Sequence, residues 1–148
     1  MNKIWFDMDG TIADLYGVKG WLAMLIDNDP TPYAIARPLV NLSRLARHLN
    51  KLQKMGFEIG IISWLSKSST PEYDNLVTKA KLFWLKLHLP SVQWDEIKIV
   101  PYGTNKWETC GDGCLFDDEA RNREAWENNA AYEPNEIFTI LTELAKAA

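Results

Sequence analysis

Apolar residues fall along the chain in short runs that stop on polar ones, separated by longer stretches with helical spacing. Ile4-Trp5-Phe6 reads as a buried strand that ends abruptly at Asp7, after which Gly10 and Thr11 turn the chain. Leu15 to Ile26 is apolar at roughly helical spacing, interrupted by Gly17 and Gly20, and Asp27 to Pro32 is loop. Pro38 is expected to open a stronger helix. Leu39, Leu42, Leu45, Leu49, Leu52 and Met55 form one stripe, with Arg44, Arg47, Lys51 and Lys54 outside it and Gly56 suited to the C-terminal cap. Phe57 to Ile62 is a second strand, rich in isoleucine and ending at Ser63. A polar loop from Lys67 to Pro71 leads into a helix over 75–87 that is apolar on most sides and breaks before Pro90.

Ile97 to Val100 reads as a third strand and Pro101 to Gly113 as mostly loop. Cys114 to Phe116 is a fourth strand, ending at Asp117-Asp118. A helix is expected over 119–128, a short last strand at Ala130 to Tyr132, and a terminal helix over 135–146 with Ile137, Ile140, Leu141 and Leu144 inward. Strands alternating with helices predict an α/β fold: a three-layer, Rossmann-like parallel sheet of about five strands with helices on both faces. In such a sheet, ligands bind at the carboxyl ends of the strands. Asp7, Ser63, Lys106 and Asp117 each follow a predicted strand, so they are expected to meet in one cleft.

Composition narrows the class. The 148 residues are 47% hydrophobic and 24% charged, which suits a single globular domain over 1–148. The net charge of −4, without a long basic run, gives no strong nucleic-acid signature and no case for membrane-surface binding. No apolar run approaches the roughly 20 residues of a membrane span, and Met1-Asn2-Lys3 does not begin a secretory signal, so a cytoplasmic location is expected. Cys110 and Cys114 fit a reducing compartment. Without nearby histidines they make a poor zinc site and read as small loop or strand residues.

The chemistry lies at the strand ends. Two carboxylates at i and i+2, Asp7 and Asp9, point the same way and, both ionised, call for a cation; Mg²⁺ meets them with hard oxygen ligands. One carboxylate can then attack phosphorus to give an aspartyl-phosphate, and the other can protonate the leaving oxygen and activate water. Gly10 lets the backbone approach a phosphate, Ser63 offers a hydroxyl, Lys106 a fixed positive charge, and Asp117 and Asp118 complete a metal site. Each element alone has an ordinary explanation: a surface turn, a strand-end serine, an exposed lysine, a helix cap. Their order along the chain is what points to phosphoryl transfer.

That order resembles the haloacid dehalogenase (HAD) superfamily across nearly the whole chain. Asp7-Met8-Asp9-Gly10-Thr11 is similar to its first motif, Ile61-Ile62-Ser63 to its second, Lys106 to its third and Leu115-Phe116-Asp117-Asp118 to its fourth. The resemblance implies a HAD-like fold and a Mg²⁺-dependent phosphatase. In it Asp7 would be nucleophile and metal ligand. Asp9 would be the general acid/base and would give its backbone carbonyl to the metal. On the phosphate side, Thr11 would help hold the loop, while Ser63 and Lys106 would bind the phosphoryl group. Asp117 would ligate the metal with Asp118 nearby or acting through water. Lys98, inside a predicted strand, is a rival for the Lys106 role.

A closer similarity is to the 5′(3′)-deoxyribonucleotidases, through Asp7 to Gly10 with Ala13 and Asp14, then Lys81 to Trp84, Lys106 and the aspartate pair. It implies a nucleoside monophosphate as the small-molecule phosphomonoester substrate. Only a short helical insert, 12–37, is free to act as a cap, where Tyr16, Trp21 and Tyr33 could stack on a base or pack the lid down. Asn122 falls where related phosphatases often carry an acidic residue; it reads equally as an outer-shell group or a helix-surface residue. Three other functions compete: a phosphatase for nucleic-acid ends, a phospho-regulated receiver module, and a silent binding protein. A receiver's acidic pair lies on its first strand and its phosphorylated aspartate on its third. The order here, Asp-x-Asp, Ser, Lys, Asp-Asp, disfavours that reading, and the full set of catalytic groups disfavours a silent one.

Overall fold

The computed structural model describes residues 2–148. Five strands form one parallel sheet: β1 (Lys3–Phe6), β4 (Glu58–Trp64), β5 (Glu96–Val100), β6 (Cys114–Phe116) and β7 (Ala131–Tyr132), in the spatial order β5-β4-β1-β6-β7. Two further strands, β2 (Ala13–Asp14) and β3 (Arg37–Pro38), pair antiparallel as a separate ribbon. The helices are α1 (Trp21–Ile26), α2 (Thr31–Ile35), α3 (Leu42–Lys54), α4 (Pro71–His88), α5 (Lys106–Cys110), α6 (Ala120–Glu124) and α7 (Ile137–Ala147). This is the expected three-layer α/β architecture.

Strand alternation assigns the layers. Ile4, Phe6, Ile59, Ile61, Cys114 and Phe116 face one side and pack against Leu45, Leu49 and Leu52 of α3, Trp84 and Leu85 of α4, and Ile137 and Leu141 of α7. Trp5, Ile62 and Leu115 face the other side, where Trp126 is fully buried with Trp107 of α5 beside it. Gly60 is a glycine because Trp5 of the neighbouring strand occupies the space its side chain would need: a Cβ there would lie 2.6 Å from the indole ring.

Helix α4 has to be apolar on two faces. Trp84 and Leu85 join the main core, while Tyr73, Val77 and Ala80 hold a second cluster with Leu15 and Tyr33 from the segment between β2 and β3. Two contacts pin this segment: Trp84 Nε1 donates to the Ala36 carbonyl at 2.8 Å, and the Tyr73 hydroxyl to the Asp29 carbonyl at 2.9 Å.

Several element boundaries differ from the expectation. Pro38 lies in β3 and does not open the helix; α3 begins at Leu42, because the Asn41 side chain accepts from the Arg44 N–H and supplies the cap. Leu39 and Met55 are exposed, outside the buried stripe. Pro71 is the first residue of α4, capped by Thr70, and not the end of a loop. The stretch expected as loop after Pro101 contains α5, with Asn105 as its cap and Lys106 as its first residue. The helix expected over 119–128 is the much shorter α6. No helix among the described residues is long and apolar enough to cross a membrane.

Candidate active site

The sheet reverses direction of strand order at β1, which has β4 on one side and β6 on the other. A crevice opens at the carboxyl ends of strands around such a point. Asp7 follows β1 and its N–H donates to Phe116 O at 2.9 Å, so the first residue after β1 is pinned to the end of β6. The chain then turns tightly: the Met8 carbonyl accepts from the N–H groups of Thr11, Ile12 and Ala13, and Gly10 sits at φ +81°. A side chain at Gly10 would strain that backbone and strike the Asp118 carboxylate, 2.3 Å from the position of a Cβ.

Asp7, Asp117 and Asp118 each place a carboxylate oxygen within 4.8 Å of the others. Lys106 stands behind them, buried, donating to Asp7 Oδ1 at 3.0 Å and Asp117 Oδ2 at 2.7 Å. The short α5, ended by Gly111 at φ +72°, delivers this ammonium eleven residues before Asp117. Thr11 is fully buried; its hydroxyl donates to Asp7 Oδ2 at 2.9 Å and accepts from the Asp118 N–H at 3.1 Å, tying the first loop to the fourth strand end. Asn122 is buried, and its Nδ2 donates to Asp117 Oδ2 at 3.0 Å. Of its two readings, the helix-surface one is therefore wrong. The Glu119 N–H and Arg123 hold the remaining Asp117 side-chain and main-chain oxygens.

A second ammonium serves the other carboxylate. Lys81 of α4 is 1% exposed and donates to Asp9 Oδ2 at 2.9 Å, Ser63 Oγ at 2.7 Å and the Trp64 carbonyl at 2.6 Å. In sequence it stands out only as part of the Lys-x-x-Trp spacing. The signal that could have found it is its place on an α4 face otherwise made of Tyr73, Val77 and Ala80, where an unpaired lysine would not be buried. Ser63 is fully buried beneath this ammonium and does not line the cavity wall. Lys98 is not near the site: its ammonium donates to the Thr109 carbonyl and lies over the Trp5 ring. Cys110 and Cys114 are free thiols whose pKa burial pushes up to about 12, which disfavours the reactive thiolate.

The acidic groups crowd one another. Burial raises the pKa of Asp118, and Asp7 raises it further; Asp117 shifts the same way for the same reasons, against the pull of Lys106. Burial also raises Asp9, opposed by Lys81 and reinforced by Asp7. Burial alone would lower the Lys106 pKa, but Asp7 and Asp117 outweigh it and hold the ammonium charged. The donor set is therefore three hard oxygen ligands short of positive charge, which fits a small divalent cation such as Mg²⁺ and not a soft metal.

Above these groups lies a cavity of about 390 Å³. Its aromatic lining comprises Tyr16, Trp21, Tyr33, Trp64, Tyr73 and Tyr102. Tyr16 and Trp21 meet edge to face at 5.1 Å, and Arg121 stacks over both Trp64 and Tyr102.

The raised carboxylates set a pH dependence. Burial and the neighbouring Asp7 hold the carboxyl protons of Asp117 and Asp118 to higher pH than an unfolded chain does, so the folded state binds more protons above about pH 4 and its stability falls as pH rises. Thermal unfolding of metal-free protein is expected to show a lower midpoint at about pH 8 than at about pH 5.5, with Mg²⁺ restoring more stability at the higher pH. A Mg²⁺ effect that is absent, or larger at the lower pH, would contradict the site.

No family model matches the chain, and no curated protein matches it. Among solved structures it is similar to the D,D-heptose 1,7-bisphosphate phosphatase of Burkholderia thailandensis, with a TM-score of 0.53 and 12% identity over 88% of this chain and 75% of that one. At that identity the likeness concerns the fold alone: a five-stranded parallel sheet packed with helices in a three-layer α/β arrangement.

Proposed function

We propose that this protein is a phosphomonoester hydrolase that works through an aspartyl-phosphate on Asp7, with Mg²⁺ as cofactor and nucleoside monophosphates as substrates. One observation carries the reading: Asp7 lines the cavity with one carboxylate oxygen held by Lys106 and the other by Thr11, in contact range of Asp117 and Asp118. A carboxylate oriented at both oxygens is placed for in-line attack.

The roles divide around it. Asp7 attacks phosphorus, and the bond to the leaving oxygen breaks. Asp9 gives that oxygen its proton and then takes one from the water that hydrolyses the acyl phosphate. Lys81 binds Asp9 Oδ2 and leaves Oδ1 free for the proton. Lys106 opposes charge on the phosphoryl oxygens, Ser63 accepts from the Lys81 ammonium and helps position it, and Thr11 holds the loop. Asp7, Asp117 and Asp118, with the Asp9 carbonyl, would hold Mg²⁺, which supplies positive charge to the phosphoryl group when bound. A cavity of this size lies in the range of small-ligand sites, about 300–1,000 Å³, and its aromatic wall supports a planar base as the group that follows the phosphate.

The protein is expected to hydrolyse an aryl phosphate with Mg²⁺ and not with EDTA, and Asp7→Asn to lower kcat below about one part in 10⁴ while circular dichroism stays unchanged. Metal-independent turnover, or an active Asp7→Asn variant, would sink the mechanism. Lys81→Met separates acid delivery from general damage. Its kcat/KM for an alkyl phosphate, whose leaving group needs a proton, should fall by about 10²-fold, and far less for nitrophenyl phosphate, whose leaving group does not. Equal losses on both substrates would leave Lys81 with a structural role only.

A further inference from the structure

Helix α3 carries Arg44, Arg47, Lys51 and Lys54 and no acidic residue, in a chain whose net charge is −4. Its leucines turn to the core, so these cations face outward. Helix α7 packs beside it and adds Lys146. Between the two helices runs a groove of about 360 Å³, with Arg44, Arg47, His48 and Lys51 on one wall and Thr142 and Lys146 on the other; no carboxylate lines it.

Among the described residues, none of Arg44, Arg47, Lys51 and Lys146 takes part in an ion pair. Arg44 is instead stacked on the Phe138 ring, 4.1 Å from its centroid, which fixes the guanidinium at one end of the groove. Burial lowers the His48 pKa, and Arg44, Lys51 and Arg47 lower it further. The shift favours the neutral imidazole beside these cations. Like charges gathered without counter-ions raise the local potential, and an anion relieves it.

Arg44 and Lys51 stand two helical turns apart, about 10 Å along the axis. A chain of linked phosphates spans that separation and meets several of these cations at once, with Lys146 on the opposite wall. The volume is in the small-ligand range of about 300–1,000 Å³. We propose that the α3–α7 groove binds a small linear polyphosphate anion, such as the triphosphate of a nucleotide or inorganic tripolyphosphate, at a site that shares no lining residue with the Asp7 cavity. A nucleic-acid strand offers the same phosphate chemistry, but the chain's net charge of −4 and lack of a long basic run do not favour an extended polyanion.

The test is a titration of the full, metal-free chain with sodium tripolyphosphate, followed by amide chemical shifts. Saturable shifts on α3 and α7 are expected, weaker at higher salt. The double variant Arg47→Glu, Lys51→Glu should lose affinity by about tenfold or more with its thermal midpoint unchanged, since both side chains are exposed. Absence of saturable shifts, shifts confined to the Asp7 cavity, or unchanged affinity in the double variant would overturn the proposal. A single-stranded oligothymidylate that binds more tightly than tripolyphosphate would also overturn it, in favour of a nucleic-acid strand.

Discussion

Four carboxylates, Asp7, Asp9, Asp117 and Asp118, converge at the ends of two neighbouring strands, and among the described residues two ammonium groups reach them. Burying like charges together is costly, and most of this structure can be read as the means of tolerating it. Lys106 comes from a short helix capped by Asn105 for that purpose, and Lys81 comes from the middle of α4. Neither lysine has a water-facing alternative: both are almost fully buried. Removing one partner from such a pair costs about 3–5 kcal/mol, because the other charge stays behind in the low-dielectric interior. The shortfall of positive charge among these carboxylates is the reason a divalent cation fits.

The two lysines also divide the site. Lys106 gathers Asp7 and Asp117, with Thr11 and Asn122 fixing their remaining oxygens. Lys81 gathers Asp9, Ser63 and the end of β4. Two adjacent carboxylates on one short loop are thereby held by different counter-ions, which is how neighbouring groups of one residue type can take different chemical roles. The segment between β2 and β3 enters the same arrangement: it packs on α4 through Tyr33, whose ring lies over the Lys81 ammonium, and it lines the cavity through Tyr16 and Trp21.

Much of the sheet is legible in the sequence because short apolar runs stopping on Asp7, Ser63 and Asp117 mark strands and their carboxyl ends at once. Lys81 is not legible as a site residue, because a helix pattern gives a lysine's position without its partners. Nor is Pro38, since a proline before a helical stripe reads as a helix start when it can equally end a ribbon strand, and only the Asn41 cap decides. The helices α5 and α6 are too short to show a period. The basic groove escapes a search for basic runs because Arg44, Arg47 and Lys51 are spaced by helical turns and become neighbours only on the folded face.

In the proposed mechanism Asp7 carries the phosphoryl group during turnover. The most direct measurement uses Asp9→Asn, which lacks the base for the second step, mixed with Mg²⁺ and an aryl phosphate, quenched with borohydride and mapped by mass spectrometry. Borohydride reduces an acyl phosphate to an alcohol, so the account predicts homoserine at position 7 and at no other aspartate. Reduction at Asp117 or Asp118 instead, or phosphate release from active protein with no reduced aspartate in either the variant or the parent chain, would contradict it.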